Sequence, residues 1–288
     1  MKAYLKMFMV VLVSVSMFLS IASSSFSQQK NPLGQYATIK DYERATGKKI
    51  TKFNEAPMLA ELVKQGKLPP VEKRLPDEPA VVEPVDEVGQ YGGTWRRAAL
   101  SPGDTMIHQR LGYEPLVRWA RDGKTIIPNL CTSWKVTEGG RVYTFYLRKG
   151  VKWSDGEPFT ADDIMFWYED VLLNKELVPT FPSWFTIEGA PGKVEKVDTY
   201  TVRFRFTRPY SIFLDYLAGP EGPGPNIFDY PKHYLRQFHP KYAQKEKLDA
   251  MTKEAGFQFW YQLFSNKASA HLNKELPSLR PWVLRSEP

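Results

Sequence analysis

The sequence predicts an α/β fold built around a mixed sheet, and two adjoining patterns carry that prediction. Residues 133–137 and 141–148 flank the turn Glu138-Gly139-Gly140, and side chains alternate in character along the second arm, as in a β-hairpin. Thr160 then precedes apolar side chains at helical spacing as far as Leu172, with acidic residues in the first turn. Because both hairpins and helices separate the strands, a mixed sheet is expected rather than a purely parallel one.

Other elements follow from the same rules. Residues 201–206 alternate between apolar and basic side chains and predict a strand, and residues 92–100 predict another after a glycine turn. Short helices are expected at 38–47, 57–66 and 212–217.

The composition excludes several classes of protein. The 288 residues are 42% hydrophobic and 25% charged, which does not fit a wholly disordered chain, a collagen or a coiled coil. The chain has 17 Phe, 15 Tyr and 8 Trp, enough rings to build a sizeable core. The net charge is +7, but basic residues are interspersed with acids, so we expect a solvated surface and no nucleic-acid partner.

Residues 1–27 have the layout of a secretory signal peptide. Lys2 and Lys6 precede a mostly apolar run, and Ser25-Phe26-Ser27 offers a small-residue cleavage site. The run is shorter than the ~20 apolar residues that a membrane-spanning helix needs, so no stable membrane insertion is expected after cleavage. Cys131 is the single cysteine, so we expect neither a lipid anchor at the cleavage point, nor an intramolecular disulfide, nor a Cys-built zinc site.

Residues 28–90 are predicted to form a proline-rich N-terminal arm. Five prolines lie between Pro69 and Pro84 and favour an extended chain. Apolar residues such as Leu75 and Val81, Val82 and Val85 leave two possibilities open, a flexible tether or an arm that wraps the main domain.

No catalytic motif is present, and no catalytic residue, metal site or cofactor is predicted. The carboxylates Asp155, Glu157, Asp162 and Asp163 fit a turn and a helix start better than an acid–base pair. His233 and His239 are six residues apart, which is not a standard zinc spacing, so surface or helix-end positions are expected for both.

An exported, aromatic-rich chain without catalytic machinery favours ligand capture, since Trp and Tyr rings suit peptides or sugars in a cleft. Loops after strands and helices are the expected ligand-facing segments, although each candidate can equally be a core or rim residue. The candidate ligand-binding residues are Ser101, Asp104, Tyr113, Trp184, Gly219 and Glu221.

Several segments resemble one family, the extracytoplasmic solute-binding proteins of peptide/nickel-type ABC importers, or family 5. The densest match is 143–163, which contains Trp153-Ser154-Asp155-Gly156 and the predicted helix start. The other matching segments are 92–94, 111–117, 128–136, 197–204 and 231–235.

The resemblance implies a type II-like periplasmic binding fold, in which residues 91–288 form the N-terminal part of the solute-binding domain and 113–218 an extra subdomain of its first lobe. It further implies a periplasmic protein that closes around an oligopeptide and delivers it to ABC permease subunits. Relatives are longer, so the chain is expected to be an N-terminal fragment whose second lobe is largely missing.

Three alternatives stay open at this point. The ligand could be an oligosaccharide on the same scaffold. An exported glycoside hydrolase would use Asp155 or Glu157 as its acid and would need two carboxylates facing one cleft. The chain could also be an inert structural remnant.

Overall fold

The computed structural model describes residues 33–94, 96, 112, 114–219, 227–283 and 285. The strands are β1 Gln35–Tyr36, β2 Val81–Val82, β3 Val117–Trp119, β4 Ile126–Pro128, β5 Cys131–Thr137, β6 Val142–Leu147, β7 Thr186–Ile187, β8 Ala190–Pro191, β9 Lys193–Asp198 and β10 Thr201–Arg205. The α-helices are α1 Ile39–Thr46, α2 Pro57–Lys64, α3 Val71–Arg74, α4 Ala161–Phe166, α5 Phe213–Ala218, α6 Lys232–Leu235, α7 Lys245–Glu254 and α8 Trp260–Lys267. Most of the strand expected at 92–100 lies outside the described residues.

A four-stranded antiparallel sheet in the order β5-β6-β10-β9 is the largest sheet of the described residues. The predicted hairpin is confirmed as β5 and β6, and Glu138, Gly139 and Gly140 turn it with φ values of 51°, 65° and 88°. The predicted strand at 201–206 is confirmed as β10. A mixed sheet was expected, but every strand pair within the described part of the chain is antiparallel.

The sheet separates an aromatic core from a charged outer face. Phe145 on β6 and Phe204 on β10 are both fully buried and meet edge to face, with ring centroids 5.7 Å apart. Phe185 packs on Phe204 from the loop before β7, and an added side chain at Gly192 would collide with the Phe185 ring. On the opposite face the side chains of β9 and β10 form ion pairs, among them Arg203 with Glu195 at 3.5 Å.

The predicted helix after Thr160 is confirmed, but its second half differs from an ordinary α-helix. Thr160 caps α4 by accepting from the backbone N–H of Asp162, and Asp163 completes a capping box. From Trp167 to Leu172 the chain continues as a π-helix.

This helical segment is buried on two sides, because it lies between two hydrophobic clusters. Ile164, Trp167 and Leu172 belong to the sheet's cluster. Phe166 and Val171 belong to a second cluster with residues of α6, α7 and α8. The sequence predicted one inward face, so the second buried face is a finding of the structure.

The N-terminal arm wraps the main domain rather than hanging free. The strands β1 and β2 pair with each other within the arm, and the N–H of Asp77 donates to the carbonyl of Lys149 at 3.0 Å. Of the apolar residues that suggested docking, Leu75 and Val81 are half-buried, whereas Val82 is 61% and Val85 77% exposed. Polar contacts with the main chain also hold the arm.

Arg148 is the centre of those contacts. Its side chain, buried at the end of β6, donates to the carbonyls of Ala37 (2.6 Å) and Glu78 in the arm. It also donates to the carbonyls of Asn129 (3.1 Å) and Cys131 (3.3 Å) in the main domain. One guanidinium therefore joins two segments of the arm, one next to β1 and one before β2, to the main domain.

Among the described residues, none of the helices combines the length and the apolar character that crossing a bilayer requires.

Candidate ligand-binding site

The structure describes two of the six candidate ligand-binding residues. Trp184 and Gly219 are described, whereas Ser101, Asp104, Tyr113 and Glu221 lie outside the described residues.

Trp184 is half-buried on the rim of the aromatic core. It sits in the 3-10 turn Ser183–Phe185, and its ring stacks on Trp167 at 6.5 Å with an interplanar angle of 22°. The hydroxyl of Tyr210 donates to the carbonyl of Trp184 at 2.5 Å. The ring is therefore held on a fixed support, which is the arrangement that an aromatic wall of a binding cleft needs.

Gly219 is the C-cap of α5 and directly precedes residues 220–226. Its N–H donates to the carbonyl of Asp215 at 3.0 Å, and its φ of −74° is open to any residue. Leu217 and Ala218 before it are fully buried, and Ile227 beyond the loop is 2% exposed. The described residues on both sides of 220–226 thus belong to the same core.

A charged cluster that sequence reasoning missed comprises Glu114, Asp229 and Arg280. Arg280 is 8% exposed and makes a bidentate ion pair with Asp229, with the Nε–Oδ1 contact at 3.0 Å. Glu114 directly follows Tyr113 and accepts from the Asn129 side chain at 2.7 Å. The only signal in the sequence was proximity to segments that resemble the family.

Burial dominates the electrostatics of this cluster. Desolvation raises the pKa of Glu114, although the Asn129 hydrogen bond and the charges of Arg118 and Arg280 oppose the rise. Desolvation lowers the pKa of His271, and the Arg280 charge adds to that fall. The ion pair with Asp229 lets the Arg280 charge be buried here.

The carboxylates near Trp153 have structural partners. Asp155 accepts from the N–H of Glu157 at 3.2 Å and lies 2.8 Å from the Nε2 of His233. Asp162 pairs with Lys196 at 2.7 Å.

Asp163 is buried and ties two elements together. Its carboxylate accepts from the N–H groups of Thr160 (2.9 Å) and Lys232 (3.1 Å), at the start of α4 and of α6. Desolvation raises the pKa of Asp163 against those hydrogen bonds. The expectation that the acids of this segment cap a turn and a helix agrees with these contacts.

His239 lies at a helix end, as one of the two expected settings, but it is not on the surface. It ends a 3-10 turn and is only 4% exposed. Its Nε2 lies 3.1 Å from the carbonyl of Asp170, and its Nδ1 accepts from the N–H of Lys241 at 3.2 Å. Burial lowers the pKa of His239, so the ring is held neutral inside the second cluster.

Neither the thiol nor a metal cluster offers reactive chemistry in the described part of the chain. Cys131 is buried with its Sγ 3.1 Å from the carbonyl of Leu116, and burial raises the pKa of its thiol to about 12. No group of three His, Cys, Asp or Glu side chains in the described ranges could hold a metal ion.

Known proteins share the sequence and the architecture of this chain. Residues 125–259 match the family model described as bacterial extracellular solute-binding proteins, family 5 middle. The chain is 34% identical over 219 residues to the periplasmic alpha-galactoside-binding protein of Rhizobium meliloti, covering 68% of this chain and 31% of that protein.

Two solved structures resemble the fold. An oligopeptide-binding protein OppA superposes with a TM-score of 0.81 and 48% identity, over 88% of this chain and 39% of that one. The periplasmic binding protein MelB of Agrobacterium fabrum C58, solved with stachyose, gives a TM-score of 0.57 and 26% identity, over 83% of this chain and 36% of that one. The chain thus spans roughly a third of the length of these relatives.

The fold and these matches define a periplasmic-binding-protein scaffold of the kind that captures solutes outside the bacterial cytoplasm. The chain belongs to family 5 of the bacterial extracellular solute-binding proteins.

Proposed function

We propose that the chain is part of the substrate-binding component of an ABC importer and captures oligopeptides in the periplasm. The observation that carries the proposal is the likeness to the oligopeptide-binding protein OppA, at 48% identity and a TM-score of 0.81. Export would follow from the signal peptide at 1–27, without a lipid anchor. The ABC permease subunits would receive the ligand.

The proposed mechanism is hinge closure. A ligand that contacts both lobes in the closed state binds that state better, and this difference in affinity shifts the equilibrium toward closure. In this proposal residues 28–90 form the arm and 91–288 belong to the solute-binding domain, with 113–218 as the extra subdomain.

The proposed cleft wall comprises Ser101, Asp104, Tyr113, Trp184, Gly219 and Glu221. Trp184 is the best supported of these, because its ring stacks on Trp167 and its backbone carbonyl accepts from the Tyr210 hydroxyl. Its indole would provide a flat apolar surface for the ligand.

A second candidate ligand is an oligosaccharide. It is favoured by the alpha-galactoside-binding relative, which matches 219 residues of this chain, and by the likeness to MelB with its bound stachyose. The two candidates share the scaffold and differ only in the contents of the cleft.

Thermal melting of the purified full-length substrate-binding component separates them. A mixture of tripeptides to pentapeptides at about 100 times the dissociation constant should stabilise it by about 2.7 kcal/mol, which raises the melting temperature by several degrees. A rise with stachyose or raffinose alone that is lost in Trp184→Ala would replace the peptide by a sugar. No rise with either would contradict the proposal.

A pair of variants tests the cleft wall. Trp184→Ala should weaken peptide binding about tenfold, whereas Trp184→Phe keeps an aromatic surface and should weaken it less. Calorimetric titration measures both, and equal affinities for the wild type and Trp184→Ala would remove Trp184 from the site.

A further inference from the structure

A groove crosses the outer face of the sheet, between the arm and the strand ends. This outer groove has a volume of about 820 Å³, and the residues that matter for its chemistry are Asp77, Tyr146, Lys149, Asp198 and Tyr200. Asp77 contributes from the arm, Tyr146 from β6, and Asp198 and Tyr200 from the β9–β10 turn.

The outer groove is separate from the proposed cleft wall at Trp184. Along β6, Phe145 points into the aromatic core, which Trp184 also borders, and the next residue, Tyr146, points out with 41% of its surface exposed. Tyr146 pairs across the sheet with Thr201, which also lines the outer groove. The two sites therefore lie on opposite faces of one sheet.

A ligand in this groove meets side chains rather than a free strand edge. The strands β6 and β10 are the two inner strands of the sheet, so their main-chain groups are already paired on both sides. A peptide could not add itself as a further strand here. Recognition would depend on rings, hydroxyls and charges.

The net charge of the groove is small. Glu78, which also lines the groove, is paired with Lys40 at 2.8 Å, which leaves the carboxylates of Asp77 and Asp198 against the ammonium of Lys149. The Nζ of Lys149 lies 5.8 Å from the centre of the Tyr200 ring. A strongly charged ligand would gain little from such a lining.

The Asp198 carboxylate is the hydrogen-bond acceptor of the groove that matters most for the proposal. Asp198 accepts from the N–H of Tyr200 at 2.8 Å, and this bond, with a further one from Thr201, lowers the pKa of Asp198. It therefore stays ionised at neutral pH. The Thr132 and Thr201 hydroxyls add polar groups along the floor.

We propose that the outer groove binds a neutral saccharide, with a sugar ring against Tyr146 and its hydroxyls on Asp198 and Lys149. An exposed ring, an ionised acceptor and an ammonium donor match the flat apolar face and the hydroxyl rim of a pyranose. The site is additional to the proposed cleft and would hold either a free oligosaccharide or a unit of a longer glycan.

Saturation-transfer NMR tests this on the full chain, with raffinose as the free sugar and dextran as the polymer. Raffinose signals in the presence of the wild type, and loss of about tenfold in affinity in Tyr146→Ala, are expected. A response to dextran alone would assign the groove to a glycan chain instead of a free sugar. No response to either sugar would overturn the proposal.

Two controls make the outcome decisive. Tyr91→Ala removes another exposed tyrosine, which is 62% exposed and does not line the groove, and should leave the raffinose signal unchanged. Equal signals from the wild type and Tyr146→Ala, with unchanged circular dichroism, would place the sugar elsewhere. Displacement of raffinose by tripeptides would place it in the cleft, and either result overturns the groove while leaving the peptide proposal intact.

Discussion

The sheet core and the N-terminal arm are held by opposite means. In the core, Phe145, Phe204 and Phe213 are completely buried, and Phe204 meets Phe145 edge to face and Phe213 at an interplanar angle of 50°. In the arm, the apolar Val82 and Val85 face solvent, while the carbonyls of Ala37 and Glu78 accept hydrogen bonds from the Arg148 guanidinium.

The difference shows that one buried polar side chain can attach a segment to a domain where apolar contacts are few. A proline-rich strap leaves its carbonyls unpaired, because it forms few regular hydrogen bonds. A buried arginine has five N–H donors and can satisfy several such carbonyls at once. Substitutions that remove packing should therefore destabilise the core most. Substitutions that remove the N–H donors of Arg148 should detach the arm.

The largest effect is expected in the core. Phe204→Ala removes a ring that contacts Phe145, Phe185 and Phe213 and leaves a cavity, so the free energy of unfolding should fall by about 3–5 kcal/mol. Urea denaturation measures it. Val82→Ala in the arm is the control and should change stability by less than about 0.5 kcal/mol; similar losses in both would erase the contrast.

Arg148→Met should have the next largest effect. It keeps an unbranched apolar stem but leaves the carbonyls of Ala37 and Glu78 without their donor, at a cost of about 2–4 kcal/mol. Limited proteolysis should then cut within 33–90 much faster than in the wild type. Arg148→Lys should rescue little, because an ammonium cannot span the same carbonyls; a protected arm in Arg148→Met would refute this role.

The second cluster should respond to pH through His239. Its pKa is lowered in the folded chain, so the unfolded chain binds the proton more readily, and stability present above pH 6.5 is lost as the pH falls below it. Each such histidine contributes at most about 1.4 kcal/mol per pH unit. Asp170, Lys241 and Glu176 are the charged groups facing the ring.

Melting curves at pH 7.5 and pH 5.0 measure this dependence. His239→Asn should reduce the difference in melting temperature between the two pH values. His271→Asn measures how much of that difference is due to the other histidine with a lowered pKa. If His239→Asn kept the full slope, acid sensitivity would have to originate elsewhere.

The smallest effect is expected at a helix cap. Thr160→Ala removes the acceptor for the N–H of Asp162 and should cost about 1 kcal/mol, whereas Thr160→Ser keeps the hydroxyl and should cost less. Chemical denaturation compares the two. Equal losses would mean that the methyl packing of Thr160, not its hydrogen bond, stabilises this turn.

Local patterns predicted most of the sheet and helices. The glycine turn, the alternation in β6 and β10, and the Thr160 cap act between near neighbours, so they can be read from the chain. The π-helix could not be predicted, because Asp170 is held there by residues far along the chain, the side chains of Lys241 (2.6 Å) and Tyr242 (2.5 Å).

The long-range polar contacts of Arg148 and Arg280 could not be predicted from the sequence either. Alternation placed Arg148 on the face of Tyr146, but nothing nearby showed that its partners are carbonyls of Ala37 and Glu78 in the arm. The ion pair of Arg280 with Asp229 joins positions 51 residues apart, and two ordinary charged residues give no sign of it. Of the candidate ligand residues, Trp184 and Gly219 have a described setting, and their role stays a prediction.

Native mass spectrometry of the protein isolated from the periplasm tests the central claim most directly. Ligand capture predicts a fraction of the protein carrying additional mass that dissociates on activation and fragments into amino acids. A released species that fragments into hexoses, and that is lost in Trp184→Ala but kept in Tyr146→Ala, would assign the cleft to a saccharide. Recovery of the bare chain alone, even after incubation with peptide and sugar mixtures, would contradict ligand capture.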